Sequence, residues 1–211
     1  MTRSGIHLYD QIRMRTLLID YGSGNLRSAA KALEASGLEV QVSADPKGVA
    51  KADLLVLPGQ GHFGQVMASF LASGFEEGVR GHITVGKPFL GICVGMQILY
   101  EASEEAPQIQ GLGLIPGTVR RFRAKHVPQM GWNTVHFAPG AFEILSGRYF
   151  YYANSYYGPL VEGSAGVSEY EGTEFTAVYA KDNVVAPQFH PEKSGQTGQA
   201  FLKALRRYFN G

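Results

Sequence analysis

Gly91-Ile92-Cys93-Val94-Gly95-Met96-Gln97 sets the only cysteine of the chain between two glycines, where an apolar run passes into a helical pattern. Ahead of it, Pro88-Phe89-Leu90-Gly91-Ile92 has strand character, and beyond it Met96, Leu99 and Tyr100 recur at helical spacing through Ala102. A sharp strand-to-helix elbow at this point needs both glycines, one for the turn and one for close approach of strand and helix. The thiol would then stand at a helix N-terminus, where the dipole favours the reactive thiolate. The alternative is a small, buried, inert cysteine, and the local sequence leaves both readings open.

Composition narrows the setting. The 211 residues, 45% of them hydrophobic, are enough for one domain with a substantial core, expected over 14–211. A formal net charge of +1 gives no general attraction to nucleic acid or to an anionic membrane. One cysteine excludes an internal disulfide framework and cysteine-cluster metal sites, which points to a reducing, cytoplasmic compartment. No apolar stretch is long enough to span a bilayer, and the N-terminus lacks the apolar core of a signal peptide. Residues 1–13 show no periodicity and precede Met14, so they are expected to be a disordered tail or an upstream misreading of the start codon.

The first half alternates strand and helix. Thr16-Leu17-Leu18-Ile19 is a doubly covered strand that ends in Asp20-Tyr21-Gly22-Ser23-Gly24-Asn25, and a helix follows on Leu26, Ala29, Ala30 and Leu33 with Gly37 as its cap. A dinucleotide fingerprint fails there, because Arg27 occupies the place of the third glycine. After a strand over 38–43, Asp53-Leu54-Leu55-Val56-Leu57 opens into Pro58-Gly59-Gln60-Gly61. That turn is either an ordinary loop or a set of backbone N–H groups facing a cleft, able to stabilise an oxyanion. The segment 63–86 reads as helical with interruptions at Gly74 and Gly78. This alternation predicts a parallel sheet flanked by helices, with residues 22–25, 58–61 and Cys93 along the carboxyl edge where ligands sit.

The second half predicts strands over 117–122, 133–137, 148–152, 167–170, 176–179 and 184–189, an antiparallel β region added to the α/β unit. Arg120, Arg121, Arg123 and Lys125 form the one basic run, expected to be a solvated face. Trp132, the only tryptophan, lies beside proline and glycine in Val127-Pro128-Gln129-Met130-Gly131, as a core residue or an interface anchor. Ala200, Phe201, Ala204, Leu205 and Tyr208 give a closing amphipathic helix over 197–209.

A thiolate that attacks a carbonyl carbon needs a partner that later protonates the leaving group, and histidine does both near neutral pH. Of six histidines, His190 in Phe189-His190-Pro191-Glu192 ends a strand and has a carboxylate two residues on. If the chain stays extended through Pro191, Glu192 shares its face and can orient the imidazole. His7, His62, His82, His126 and His136 lack such spacing and are expected to be surface or structural residues.

Taken together, the Cys93 elbow, the His190-Pro191-Glu192 segment and the Pro58-Gly59-Gln60-Gly61 turn resemble the class I (triad) glutamine amidotransferases, whose fold is a flavodoxin-like, mostly parallel sheet flanked by helices. Asp20-Tyr21-Gly22-Ser23-Gly24-Asn25, Pro128-Gln129-Met130-Gly131-Trp132-Asn133 and His190-Pro191-Glu192-Lys193-Ser194 resemble the branch serving histidine biosynthesis more than those serving pyridoxal phosphate, anthranilate or guanylate synthesis. The resemblance implies hydrolysis of L-glutamine by a Cys93, His190, Glu192 triad, with oxyanion donors from the backbone of Gly59, Gln60 and Val94. It implies glutamine contacts at Gly61, Gln97, Glu105, Asn154, Ser155 and Tyr156. It further implies delivery of ammonia to a separate (βα)8-barrel cyclase subunit that contacts Asn25, Trp132, Tyr151 and Lys193, with no metal or organic cofactor. One departure stands out: Asn154-Ser155-Tyr156 occupies the place of a His-Ser-Tyr or His-Thr-Tyr segment, and asparagine cannot act as an acid or base. A non-catalytic docking subunit and a free-standing cysteine peptidase are the competing classes.

Overall fold

A computed structural model describes residues 14–210 apart from Ser23; the leader discussed above lies outside the described residues. The first half runs β1 (Arg15–Ile19), α1 (Leu26–Ala35), β2 (Glu39–Ser43), β3 (Leu54–Leu57), α2 (Phe63–Ala72), α3 (Glu76–Thr84), β4 (Phe89–Gly91) and α4 (Val94–Gln97). Then come β5 (Tyr100–Ser103), β6 (Ile115–Arg121), β7 (Gln129–Phe137), β8 (Arg148–Asn154), β9 (Tyr156–Tyr157), β10 (Ser164–Tyr170), β11 (Thr173–Lys181), β12 (Val184–Pro187) and α5 (Gly195–Asn210).

Nine of these strands make one sheet in the order β2-β1-β3-β4-β12-β11-β10-β7-β8. The part from β2 to β12 is parallel and the part from β12 to β8 antiparallel, so the added β region continues the central sheet across β12. β3 and β4 are buried at every residue, as strands covered on both faces must be. On the antiparallel side, α5 covers the inner face: Phe150 stacks on Phe189, Phe189 meets Phe201 edge to face, and Phe142 stacks on Phe201. A small second sheet, β5-β6-β9, stands beside the main one.

Two expectations are corrected. The helix after Cys93 stops at Gln97, and Tyr100–Ser103 is a strand parallel to β6. Apolar spacing marked a buried face there, but residues 111–114 return alongside and their N–H groups take the carbonyls of Ile98, Leu99, Tyr100 and Glu101. Those acceptors are then lost to any i+4 donor, and the helix cannot propagate. Gly78 does not interrupt a helix either. It lies inside α3, where a Cβ would press on Val49 at 3.3 Å, so it serves packing.

The tightest packing is where β3, β4 and α4 meet. A Cβ on Gly95 would lie 2.1 Å from the Leu57 carbonyl oxygen, and one on Gly59 would lie 2.2 Å from the Gly95 nitrogen. Because both neighbours are backbone, neither can give way locally. Gly95→Ala should therefore cost about 3 kcal/mol or more, a fall in melting temperature of roughly 6–12 °C for a domain of this size. Gly81→Ala is the control: this exposed helical position in α3 has open space around it, and the exchange should stabilise by ~0.5–1 kcal/mol. Thermal melts of the two variants check both signs.

Candidate active site

Cys93 caps the short α4 with φ 56° and ψ −110°, a backbone region few non-glycine residues occupy. Its N–H donates to the Pro187 carbonyl at 2.9 Å, and that of Ile92 donates to Leu57 at 2.9 Å, so strands on both sides brace the elbow. The thiol is buried from bulk solvent yet lines a cavity of about 380 Å³, a volume suited to a small amino acid.

β12 feeds the partner side chains in. His190 follows it in extended conformation, and Pro191–Lys193 then forms a 3-10 turn. The turn, not continued extension, brings Glu192 round to accept from His190 Nδ1 at 2.8 Å. Both side chains are buried, at 3% and 5% exposure. Burial works against the His190 cation, but the charge on the Cys93 sulfur, hydrogen bonds to Cys93 and Glu192, and the Glu192 charge outweigh it and raise its pKa from 6.5 to about 10. Cys93, His190 and Glu192 thus form one connected array.

The remaining candidates are placed as follows. Gln60, Gly61, Val94, Gln97, Glu105, Asn154, Ser155 and Tyr156 all line the cavity. Gly59 does not; it lies beneath, against Val94 and Gly95. Val94 begins α4, so its N–H belongs to the first turn, where no intrahelical acceptor exists. Glu105 also accepts from the Phe63 N–H at 2.7 Å and so holds the start of α2. Asn154 donates to the Tyr156 carbonyl at 3.0 Å, a bond that shapes the 154–156 loop and needs no proton transfer.

Trp132 and Tyr151 meet edge to face at 6.0 Å, with Lys193 over the Tyr151 ring at 5.9 Å. Asn25 is the N-cap of α1, the helix that packs on the 191–193 turn. The basic run is exposed, as expected. Of the other histidines, His62 caps α2, His82 bonds to the Pro88 carbonyl and His126 pairs with Glu171. No group of three or more His, Cys, Asp or Glu side chains that could hold a metal is found among the described residues. Nor, among them, is any helix long and apolar enough to cross a membrane.

Sequence reading missed Gln188. It is fully buried and directs Nε2 at the Cys93 sulfur, 3.7 Å away, while its Oε1 accepts from Gln97 Nε2 at 3.0 Å. The signal was present in the spacing: two residues before His190 in an extended run is the same face.

A nucleophile elbow on the carboxyl edge of a parallel sheet, with an imidazole and a carboxylate arriving from the neighbouring strand, agrees with the match of residues 17–206 to the family model "Glutamine amidotransferase class-I". The chain belongs to the class I glutamine amidotransferases. It is 69% identical over 198 residues to the imidazole glycerol phosphate synthase subunit HisH of Thermus thermophilus, covering 94% of this chain and 98% of that one. Against HisH of Deinococcus radiodurans it is 48% identical, covering 90% and 92%. Within the class, these identities put it in the HisH family. Among solved structures, PurLQS from Thermotoga maritima matches with a TM-score of 0.73 at 20% identity over 93% of this chain and 99% of that one, a likeness of fold.

The raised pKa of His190 has a checkable source. Cys93→Ala removes the sulfur's share and leaves burial opposed only by Glu192, so the imidazole should titrate at lower pH than in the wild type. Nitrogen-15 NMR of His190 through the range from 6.5 to about 10 reads this directly. The sign for stability follows: the folded pKa lies above the unfolded one, so the contribution is full below 6.5 and is lost as pH rises through about 10.

Proposed function

We propose that the chain is the glutaminase subunit of an imidazole glycerol phosphate synthase. It hydrolyses L-glutamine to glutamate and ammonia, and passes the ammonia to a separate (βα)8-barrel cyclase for imidazole glycerol phosphate and AICAR formation in histidine biosynthesis. The observation that carries this is the Cys93–His190–Glu192 array at the wall of a cavity of amino-acid size.

The proton account closes on these residues. With His190 held as imidazolium beside the sulfur, the thiolate of Cys93 attacks the side-chain amide carbon of glutamine. The tetrahedral oxyanion collapses to a thioester and expels ammonia, protonated by His190. Once the sulfur is acylated, its charge no longer raises the imidazole pKa, and burial, the largest influence, lowers it. His190 is then a competent base for the water that cleaves the thioester, and the final collapse returns the thiolate and imidazolium. Val94 and the Gly59-Gln60 turn supply backbone donors for both oxyanions, each worth about 2.7–4 kcal/mol where such donors have been removed. Gly61, Gln97, Glu105 and the 154–156 loop hold the amino-acid moiety. None of these steps calls for a metal or organic cofactor, nucleic acid or a membrane, and a thiolate nucleophile favours a cytoplasmic setting. Residues 14–211 act as one domain.

The cyclase docks on the outer face of β7 and β8. Met130, Trp132 and Tyr149 are 69%, 57% and 60% exposed there, an apolar patch of the kind that marks an interface, with Lys193 at its rim and Asn25 on α1 completing the contact. Ammonia released without an acceptor is wasted, so the isolated subunit should be nearly idle and gain activity with the cyclase and its nucleotide substrate. Cys93→Ser should retain the fold and lose glutaminase activity by at least ~1,000-fold. Trp132→Ala should weaken assembly roughly 30-fold, about 2 kcal/mol, and Lys193→Ala should impair activation, both with the thiol still reactive. Glutamate release by the chain alone, with cyclase, and with cyclase plus nucleotide checks these outcomes. Full activity in Cys93→Ala would refute the triad, whereas equal rates in all three conditions would refute only the gating.

A further inference from the structure

We infer that Gln188 is a hydrogen-bond donor to the reacting sulfur of Cys93, held in that orientation by Gln97 and the Tyr156 carbonyl. This rests on the glutaminase reading above and adds a residue to its chemistry. A carboxamide has a donor end and an acceptor end, and which end faces the sulfur follows from the network. The Tyr156 carbonyl is an acceptor only, and Gln97 lies 2.9 Å from it, so the end of Gln97 that faces it is the NH2. The same Gln97 nitrogen lies 3.0 Å from Gln188, which must present Oε1 to it. That leaves Nε2 of Gln188 toward Cys93 Sγ at 3.7 Å, within reach of a hydrogen bond to sulfur. Flipping Gln188 would set two NH2 groups against each other and turn an oxygen lone pair on the sulfur. The orientation therefore follows from one backbone carbonyl.

A donor at that distance stabilises a thiolate far more than a thiol, because bonds to charged acceptors are the strong ones. Gln188 is buried, so water does not compete for the bond. His190 reaches the same sulfur from two residues further along the chain, which gives the sulfur one charged and one neutral donor. The two differ in timing. His190 gives its proton to ammonia and changes charge during turnover, whereas the amide of Gln188 keeps the same dipole throughout and favours the sulfur anion at the start and at each collapse. The chain also ties the sulfur to the 154–156 loop, since the Tyr156 carbonyl receives Gln97 and Asn154 together.

Cys93 is the only thiol, so alkylation by iodoacetamide followed against pH reports this sulfur alone. The titratable groups near it are His190, Glu192, Glu105, Lys193 and Tyr156, and no Gln188 variant alters any of them. Gln188→Met keeps length and volume and deletes the donor. The alkylation midpoint should rise by about one unit, and kcat of the cyclase-activated protein should fall roughly 10- to 100-fold with KM within about 3-fold. Gln188→Leu also deletes the donor and adds no charge, and its midpoint should rise by a similar amount; it carries the test should Gln188→Met not fold. A midpoint unchanged in the folded variant, with only the melting temperature lowered, would reduce Gln188 to a packing residue and overturn the inference. Absence of glutaminase activity in the wild type would instead refute the functional reading, and the alkylation arm would still decide the donor.

Discussion

The structure depends on three glycines that let backbones touch where side chains normally keep them apart. Gly95 lies against the Leu57 carbonyl, Gly59 against the Gly95 nitrogen, and Gly91 would bring a Cβ to 2.7 Å from the Gly95 oxygen. This contact of β3, β4 and α4 holds Cys93 at positive φ, an arrangement that costs of the order of 1–3 kcal/mol and persists only where its surroundings over-determine it. Hydrogen bonds from Cys93 and Ile92 to the strands on either side supply the rest of the constraint. The turn 58–61 is placed by the same contact: pressing Gly59 onto α4 brings Gln60 and Gly61 to the cavity wall beside the thiol.

Electrostatics then acts on a geometry already fixed. A buried imidazole is ordinarily driven toward neutrality, and His190 is held charged because a sulfur and a carboxylate flank it at close range. One Glu192 oxygen carries the whole bond to Nδ1, while the other is buried without a partner among the described residues.

The parallel half was legible because doubly buried strands read as unbroken apolar runs and glycines mark their ends: Leu54–Leu57 and the turn beyond it needed no tertiary information. His190 was legible from its neighbour Glu192, although the turn that joins them was not, since Pro191 suits an extended strand and a first helical position equally. The segment after Gln97 was misread because burial on one face gives the same spacing in a short helix as in a strand crossed by a returning loop. Gln188 was overlooked because an amide has no charge or nucleophilicity to draw attention. Its part depends on Gln97, 91 residues away, and only the fold brings the two together.

The patch on β7 and β8 is tied to the triad through backbone. Tyr151 accepts from the His190 N–H at 2.9 Å and donates its own N–H to Ser194 Oγ at 3.0 Å, and that hydroxyl donates to the His190 carbonyl at 2.6 Å. Side chains transmit a small displacement poorly because they relax through rotamers. A peptide bonded on both sides has no such freedom. Under the proposed docking, a partner seated on Trp132 and Tyr151 would act on β8, whose Tyr151 carbonyl holds the His190 N–H, and any preference it has for one position of that strand would be felt at His190 up to its differential affinity for the two arrangements.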